Sequence, residues 1–192
     1  MNAGRRAMAI LVDPAAEWAS IAREPGDPAY VLSRYVTVLA LVPAAFSFIG
    51  ASIIGAREPS VGIVRAPVVN GLFGAIFGYV LTCVSVLLLG VFVNASAPMF
   101  GGRRDFDSAF KLAAYSFTPV WLAGVFLVLP GLRFLMLTGF YGAYILWLGL
   151  PRLMKTPEQR TPVFAALIVV CAFALAYAAA IAQRMVFGTP GL

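Results

Sequence analysis

No acidic residue falls within any of five long apolar stretches, residues 35–54, 69–93, 110–129, 132–150 and 163–182. Their only basic residues, Lys111 and Arg133, stand one place inside an end. A helix of about 20 apolar residues, rising 1.5 Å per residue, covers the roughly 30 Å of hydrocarbon in a bilayer. Inside that layer every backbone N–H and C=O must find a partner within the protein, and a helix supplies one by its own geometry. The pattern predicts an all-α, polytopic membrane protein: a five-transmembrane-helix bundle with a short N-terminal amphipathic helix. Composition agrees. Of 192 residues, 61% are hydrophobic and 11% charged, whereas soluble domains carry about 25% charged residues. So few charges cannot coat a water-facing surface.

Residues 1–34 are the one sizeable polar segment, and residues 35–192 make up the expected transmembrane domain. The apolar stretch 7–12 is too short for the core of a signal peptide, and Asp13-Pro14 follows at once. It therefore reads as a retained, cytoplasmic segment. Asp13-Pro14 is a helix start, because aspartate caps free backbone N–H groups and proline suits the first helical position. In the helix that follows, Trp18, Ile21 and Ala22 share one face. Such a helix suits the membrane interface, with Trp18 and Ile21 as anchors, or else packs on the cytoplasmic ends of the spans. Asp27-Pro28 repeats the start signal, and the chain runs from there into the first span.

Basic residues set the orientation. Arg5, Arg6, Arg23, Arg34, Arg103, Arg104, Lys111, Arg152, Lys155 and Arg160 belong to the N-terminal segment and the second and fourth connections; only Arg57, Arg65, Arg133 and Arg184 fall on the other side. The N-terminus is expected in the cytoplasm and the C-terminus outside. Arginine outnumbers lysine twelve to two, which fits a GC-rich bacterial genome and hence a bacterial inner membrane.

The residues offer little catalytic chemistry. Histidine is absent, removing the commonest general base and metal ligand. Cys83 and Cys171 stand alone in apolar runs, with no zinc or redox spacing. Asp105 and Asp107 beside Arg103 and Arg104 supply too few oxygens for a metal and read as a solvated loop, with Asp107 or Ser108 capping the next helix. No enzyme activity, metal or cofactor is expected. The net charge of +6 is attributed to membrane headgroups rather than nucleic acid.

Three groups remain as candidate sites. Lys111 enters span three where Arg152 and Lys155 leave span four, so a hairpin would gather them into a basic cluster for lipid headgroups, or simply anchor the basic side of the bundle. Pro119 frees a carbonyl in span three. Tyr115, Ser116, Thr118, Tyr141 and Tyr144 add hydroxyls around it, as an intramembrane polar pocket or as hydrogen bonds between helices. Gly71, Gly74 and Gly78 in span two let helices approach closely, within the protomer or in a dimer. Pro43 lies inside span one, and Pro151 is expected to stop span four.

The segment Pro14 to Glu24 reads P-x-x-E-W-x-x-I-x-x-E. Pro43-Ala44 and Phe48 to Gly50 mark the first span. Lys111 to Pro119 reads K-L-A-A-Y-S-x-T-P. A hairpin is centred on L-P-G-L, and Tyr141 to Pro157 reads Y-x-x-Y-x-L-x-x-G-L-x-x-L-M-K-x-P. In this order the motifs resemble the bacterial branch of the Yip family. The resemblance implies five spans and a cytoplasmic N-terminus. In eukaryotic members it also implies vesicle traffic with Ypt/Rab GTPases. The segment before the first span has no Asp-Leu-Tyr-Gly-Pro motif, which puts GTPase binding in doubt here. The expected function is a non-enzymatic membrane-organising or scaffold factor that contacts membrane lipids and a membrane-protein partner or a second copy of itself. The alternative is a small transporter, channel or lipid scramblase with a groove between spans three and four.

Overall fold

The computed structural model describes residues 2–58 and 62–187. Among these, five helical segments are long and apolar enough to cross a membrane: span one Pro28–Ile54, span two Val68–Phe100, span three Phe106–Val128, span four Phe134–Leu153 and span five Thr161–Phe187. The protein is an all-α, multi-pass membrane bundle. Among the described residues it also holds a ribbon of two antiparallel strands, β1 (Ala56–Glu58) and β2 (Gly62–Val64), between spans one and two.

Span three is the axis. Of its apolar window 61% lies inside the protein, against at most 33% for any other span. It packs on spans one, two and four. Spans two and five turn a wide apolar face outward, with Phe73, Ile76, Val80 and Val84 on one and Val163, Leu167, Val170 and Phe173 on the other. That three-to-four-residue rhythm marks the lipid-facing side of each helix.

Proline and glycine shape the spans. Pro119 cannot donate to the carbonyl of Tyr115, and span three breaks at Phe117 between helices Phe106–Ser116 and Thr118–Ala123. Pro43 stays within the helix of span one, and a Cβ on Gly124 would sit 2.7 Å from its Cα, so glycine is what lets spans one and three touch. Span four opens as a 3-10 run, Pro130–Phe140, before the α-helix Tyr141–Leu153. Pro151 does not stop that helix, which continues to Leu153. Near a helix end proline forfeits one hydrogen bond without preventing another turn. Span five likewise runs past the expected end at residue 182, to Phe187.

The N-terminal segment is not detached from the bundle. It folds into two short helices, α1 (Ala3–Val12) and α2 (Pro14–Ile21), joined through Asp13, whose carboxylate accepts from the Ala16 N–H. Asp27 caps the start of span one in the same way, through Tyr30 N–H. The helix of span three is capped by Asp105 rather than Asp107 or Ser108: the carboxylate accepts from both the N–H and the hydroxyl of Ser108. The connections after spans two and four meet on this side too, Arg103 N–H donating to the Met154 carbonyl at 2.7 Å. The N-terminal helices and both basic connections therefore share one end of the bundle.

Candidate functional site

At that end, side chains of the spans reach up and hold the backbone of the N-terminal helices. Trp18 is fully buried between α2 and span four, its indole N–H donating to the Ile145 carbonyl at 2.9 Å. Ile21 is fully buried beside it. This corrects the expectation of an interfacial anchor: an apolar helix face fits protein as well as headgroups, and Gly149 leaves the opening that admits the indole. A Cβ there would sit 2.7 Å from Trp18 Cε2.

Lys111 and Arg152 are likewise corrected. Lys111 is only 5% exposed, and its Nζ donates to the carbonyls of Glu24 at 2.8 Å and Ile21 at 3.4 Å, just where α2 ends. A cation there also complements the negative end of the helix dipole. Arg152 donates to the Ala15 carbonyl. Lys155 alone of the three is exposed, in a left-handed backbone conformation with φ 58°. The free basic cluster expected for headgroups is not formed, because two of its three members are engaged by the protein's own carbonyls.

Arg6, which sequence reasoning passed over, forms the hub. It bridges the carboxylates of Glu17 and Glu24 and lies over the Tyr115 ring, 5.6 Å from its centroid. Burial disfavours its charge, but the hydrogen bond with Glu24 and the field of both carboxylates outweigh that penalty, and its pKa is raised above the ordinary value. The legible signal was one arginine on the face of α1 that also carries Ala7 and Ile10, all three buried.

From there aromatic rings descend into the bundle. Trp18 meets Tyr115 edge-on at 6.1 Å, Tyr115 meets Tyr35 edge-on at 4.6 Å, and Tyr35 lies 6.3 Å from Trp121. Thr118 Oγ1 donates to the Tyr115 carbonyl that Pro119 leaves free, at 2.7 Å. Its proton being spent there, the Tyr35 hydroxyl donates to Thr118 Oγ1 at 2.6 Å. The proline-freed carbonyl is thus satisfied by Thr118, while the Ser116 hydroxyl has no hydrogen-bond partner among the described residues.

The expected polar pocket does not assemble. Tyr115 and Thr118 point into this core, whereas Tyr141 and Tyr144 pair with each other on the surface at 5.6 Å. Tyr141 donates instead to the Leu11 carbonyl, at 3.1 Å. Cavities open elsewhere among the described residues. One, of about 140 Å³, lies at the junction of α1, the α2 exit and spans one and three, and is lined by Arg6, Arg34 and Lys111 together with Glu24 and Asp27. The other, of about 500 Å³, lies among spans three, four and five and is lined almost wholly by hydrocarbon, with Pro119 and the tyrosines absent from its wall.

The span-two glycines work within the protomer. Gly71 abuts Ser52 of span one, whose hydroxyl would have to turn aside for a Cβ, and Gly78 faces Gln183 of span five. The Gln183 amide donates to the Gly74 carbonyl at 3.0 Å, a contact the sequence does not announce because residue 183 lies just beyond the fifth apolar stretch.

The Yip1 domain matches the chain over residues 8–180, so the N-terminal clasp and all five spans lie within or across one domain. Inner membrane protein YohC of Escherichia coli strain K12 is 25% identical over 150 residues, covering 76% of this chain and 77% of its own length. The protein of the same name from Escherichia coli O6:H1 matches to the same extent. No solved structure shows significant similarity to the chain. With the match running from α1 into span five, the chain is a member of the Yip1-domain family.

Proposed function

We propose that the protein is a non-enzymatic membrane-organising or scaffold factor that works through contacts with lipids and with a membrane-protein partner or a second copy of itself. The observation that carries this reading is the junction cavity. It stands where spans one and three begin, at headgroup depth, and presents Arg6, Arg34 and Lys111 beside Glu24 and Asp27. Charges of both signs around about 140 Å³ suit a zwitterionic headgroup, its phosphate toward the exposed Arg34 and its amine toward Asp27. The broad apolar faces of spans two and five supply surface for lipid or a partner helix. The larger cavity supports transport less well, because its hydrocarbon wall suits a lipid chain rather than a solvated ion or headgroup.

We place the protein in the bacterial inner membrane, by analogy with its Escherichia coli relatives. The clustering of most basic residues at the end that holds the N-terminus supports a cytoplasmic position for that end. Reporter fusions after residue 2 and after residue 187 test the orientation; a cytosolic signal from the C-terminal fusion overturns it. For the function, purified protein in liposomes of bacterial polar lipids is expected to retain phosphatidylethanolamine on delipidation, less so as Arg34→Gln. It should pass no more ion or labelled lipid than empty vesicles. Fast flux or scrambling would establish the transporter reading instead.

A further inference from the structure

The outward face of α1 sits at a depth that identifies what it touches. On this helix Arg6, Ala7 and Ile10 turn into the protein. Arg5, Met8 and Val12 share the opposite face and are exposed, Met8 by 64% and Val12 by 75%.

The contacts that hold the helix fix its depth. The Tyr141 hydroxyl donates to the Leu11 carbonyl, and Tyr141 opens the helix that reaches the tip of span four at Leu153. At 1.5 Å per residue, Tyr141 lies roughly 18 Å from that tip. α1 also packs on the helix Thr118–Ala123 of span three, which starts about the same distance, roughly 18 Å, from Phe106. α2 is held much nearer the tips, by Arg152 through the Ala15 carbonyl and by Lys111 through those of Ile21 and Glu24. The end of α1 therefore lies below α2, well down the sides of the spans.

Two further observations put the edge of the hydrocarbon at this level. Tyr144 and Trp147 stand exposed on span four between Tyr141 and the tip, and these aromatic types are enriched at membrane–water boundaries. On span one Arg34 is exposed. From there to the end of the span at Ile54 is about 20 residues, or roughly 30 Å, one hydrocarbon thickness. Its neighbour Tyr35 rests against Tyr115 and Thr118, so the Arg34 level is the one α1 reaches on span three. Exposed Arg5 and Asp13 flank the apolar pair, which excludes a deeper position, because charge in the hydrocarbon centre is costly.

We propose that α1 is an interfacial helix docked on the leaflet at the clasp end, with Met8 and Val12 among the first acyl carbons and Arg5 beside lipid phosphate. A helix with one apolar face and charged ends suits that boundary. α2 and the tips of spans three and four then stand clear of the hydrocarbon. The proposal rests on the lipid-contact reading but uses a separate surface: Ala3 and Arg6 are the α1 residues that line the junction cavity, on the side away from Met8 and Val12.

The test is spin-label depth in vesicles of phosphatidylethanolamine and phosphatidylglycerol, on the full chain with Cys83→Ala and Cys171→Ala. Single labels go at the exposed positions Met8→Cys, Val12→Cys, Ala19→Cys on α2 and Val80→Cys on span two, the last calibrating full immersion. Labels at residues 8 and 12 are expected to collide severalfold less with an aqueous nickel chelate, and more with dissolved oxygen, than the label at residue 19. Nickel access at 8 and 12 equal to that at 19 would put α1 in water and overturn the proposal. Shielding from both reagents would overturn it too, since a second copy or a partner protein would then cover the face. The unsubstituted chain provides a second reading: phosphatidylethanolamine with a diazirine next to its glycerol should label Met8 and Val12 and spare Ala19, and the reverse pattern refutes the docking. Headgroup retention is followed on the same samples. Its loss with the depth pattern intact counts against the junction site alone and leaves α1 at the interface.

Discussion

The indole N–H of Trp18 donates to the Ile145 carbonyl, joining residues 127 positions apart and tying the N-terminal helices to span four. The contact is specific in depth and direction, because α2 can present the ring to that carbonyl in one register only. Trp18→Phe keeps most of the apolar volume and loses the hydrogen bond, which should cost about 1 kcal/mol. Trp18→Ala also empties a fully buried site and should cost roughly 3–5 kcal/mol. Thermal unfolding in detergent micelles measures both; equal stability of the two variants would show that the ring is not packed as described.

Gly149 is the other half of that contact. A methyl group there would meet both Leu112 Cδ1, at 2.5 Å, and the Trp18 ring, at 2.7 Å. Gly149→Ala would ordinarily stabilise a helix, by up to about 1 kcal/mol. Overpacking of this kind costs about 1–3 kcal/mol, so a net loss of stability is expected. Pairing it with Trp18→Ala should recover much of that loss, and a double-mutant cycle on thermal stability reads the coupling directly.

Arg6 neutralises two carboxylates, and its removal strands Glu17, whose side chain is 16% exposed. Breaking a buried ion pair by deleting one partner costs roughly 3–5 kcal/mol; with Glu24 partly in solvent, the low end is expected for Arg6→Met. The damage should be local. Hydrogen exchange should rise across residues 3–24 and stay unchanged in spans two and five, where a uniform rise would contradict a clasp that opens as a unit. Lys111→Met, removing a donor to the Ile21 and Glu24 carbonyls, and Arg152→Met, removing one to the Ala15 carbonyl, should loosen the same residues.

How much of this could be read from sequence follows from what each signal measures. Hydropathy reports transfer of whole segments into hydrocarbon, so all five spans were evident, as was the sharing of one end by the basic connections. It does not distinguish lipid from protein as the apolar neighbour, and the two readings of Trp18 were equivalent until span four was seen against it. Lys111 and Arg152 obeyed the rule for basic residues at span ends, but that rule does not say whether a cation faces a phosphate or a carbonyl. Pro119 announced a freed carbonyl. That Thr118 and Tyr35 would complete its bonding, leaving Ser116 over, depended on how span one crosses span three. Gln183 looked like an exit because polar residues usually are, and only the position of Gly74 made it an interior contact.

The Gln183–Gly74 bond ties span five to span two at the end far from the clasp. Hydrogen bonds between membrane helices are worth about 0.6–2 kcal/mol. Gln183→Leu preserves apolar packing and should lower stability by that amount without touching exchange in residues 3–24. A larger loss, or coupling to Arg6→Met, would mean that the two ends of the bundle do not behave independently.

Asp105 sets a pH dependence. Partial burial pushes its pKa up, but hydrogen bonds from Ser108 and the Arg103 guanidinium more than reverse this, and the carboxylate is held below its ordinary range. A pKa lower in the folded state means that the folded form favours the charged group. Its contribution is therefore present above the unfolded carboxylate's pKa and lost as pH falls through the folded one. Asp105→Ala removes the cap of span three altogether and should cost about 1 kcal/mol at neutral pH. Melting curves of parent and variant should converge as the pH drops below the carboxylate range. Curves that stay parallel down to the acid limit would show that the carboxylate charge contributes nothing to the start of the central helix.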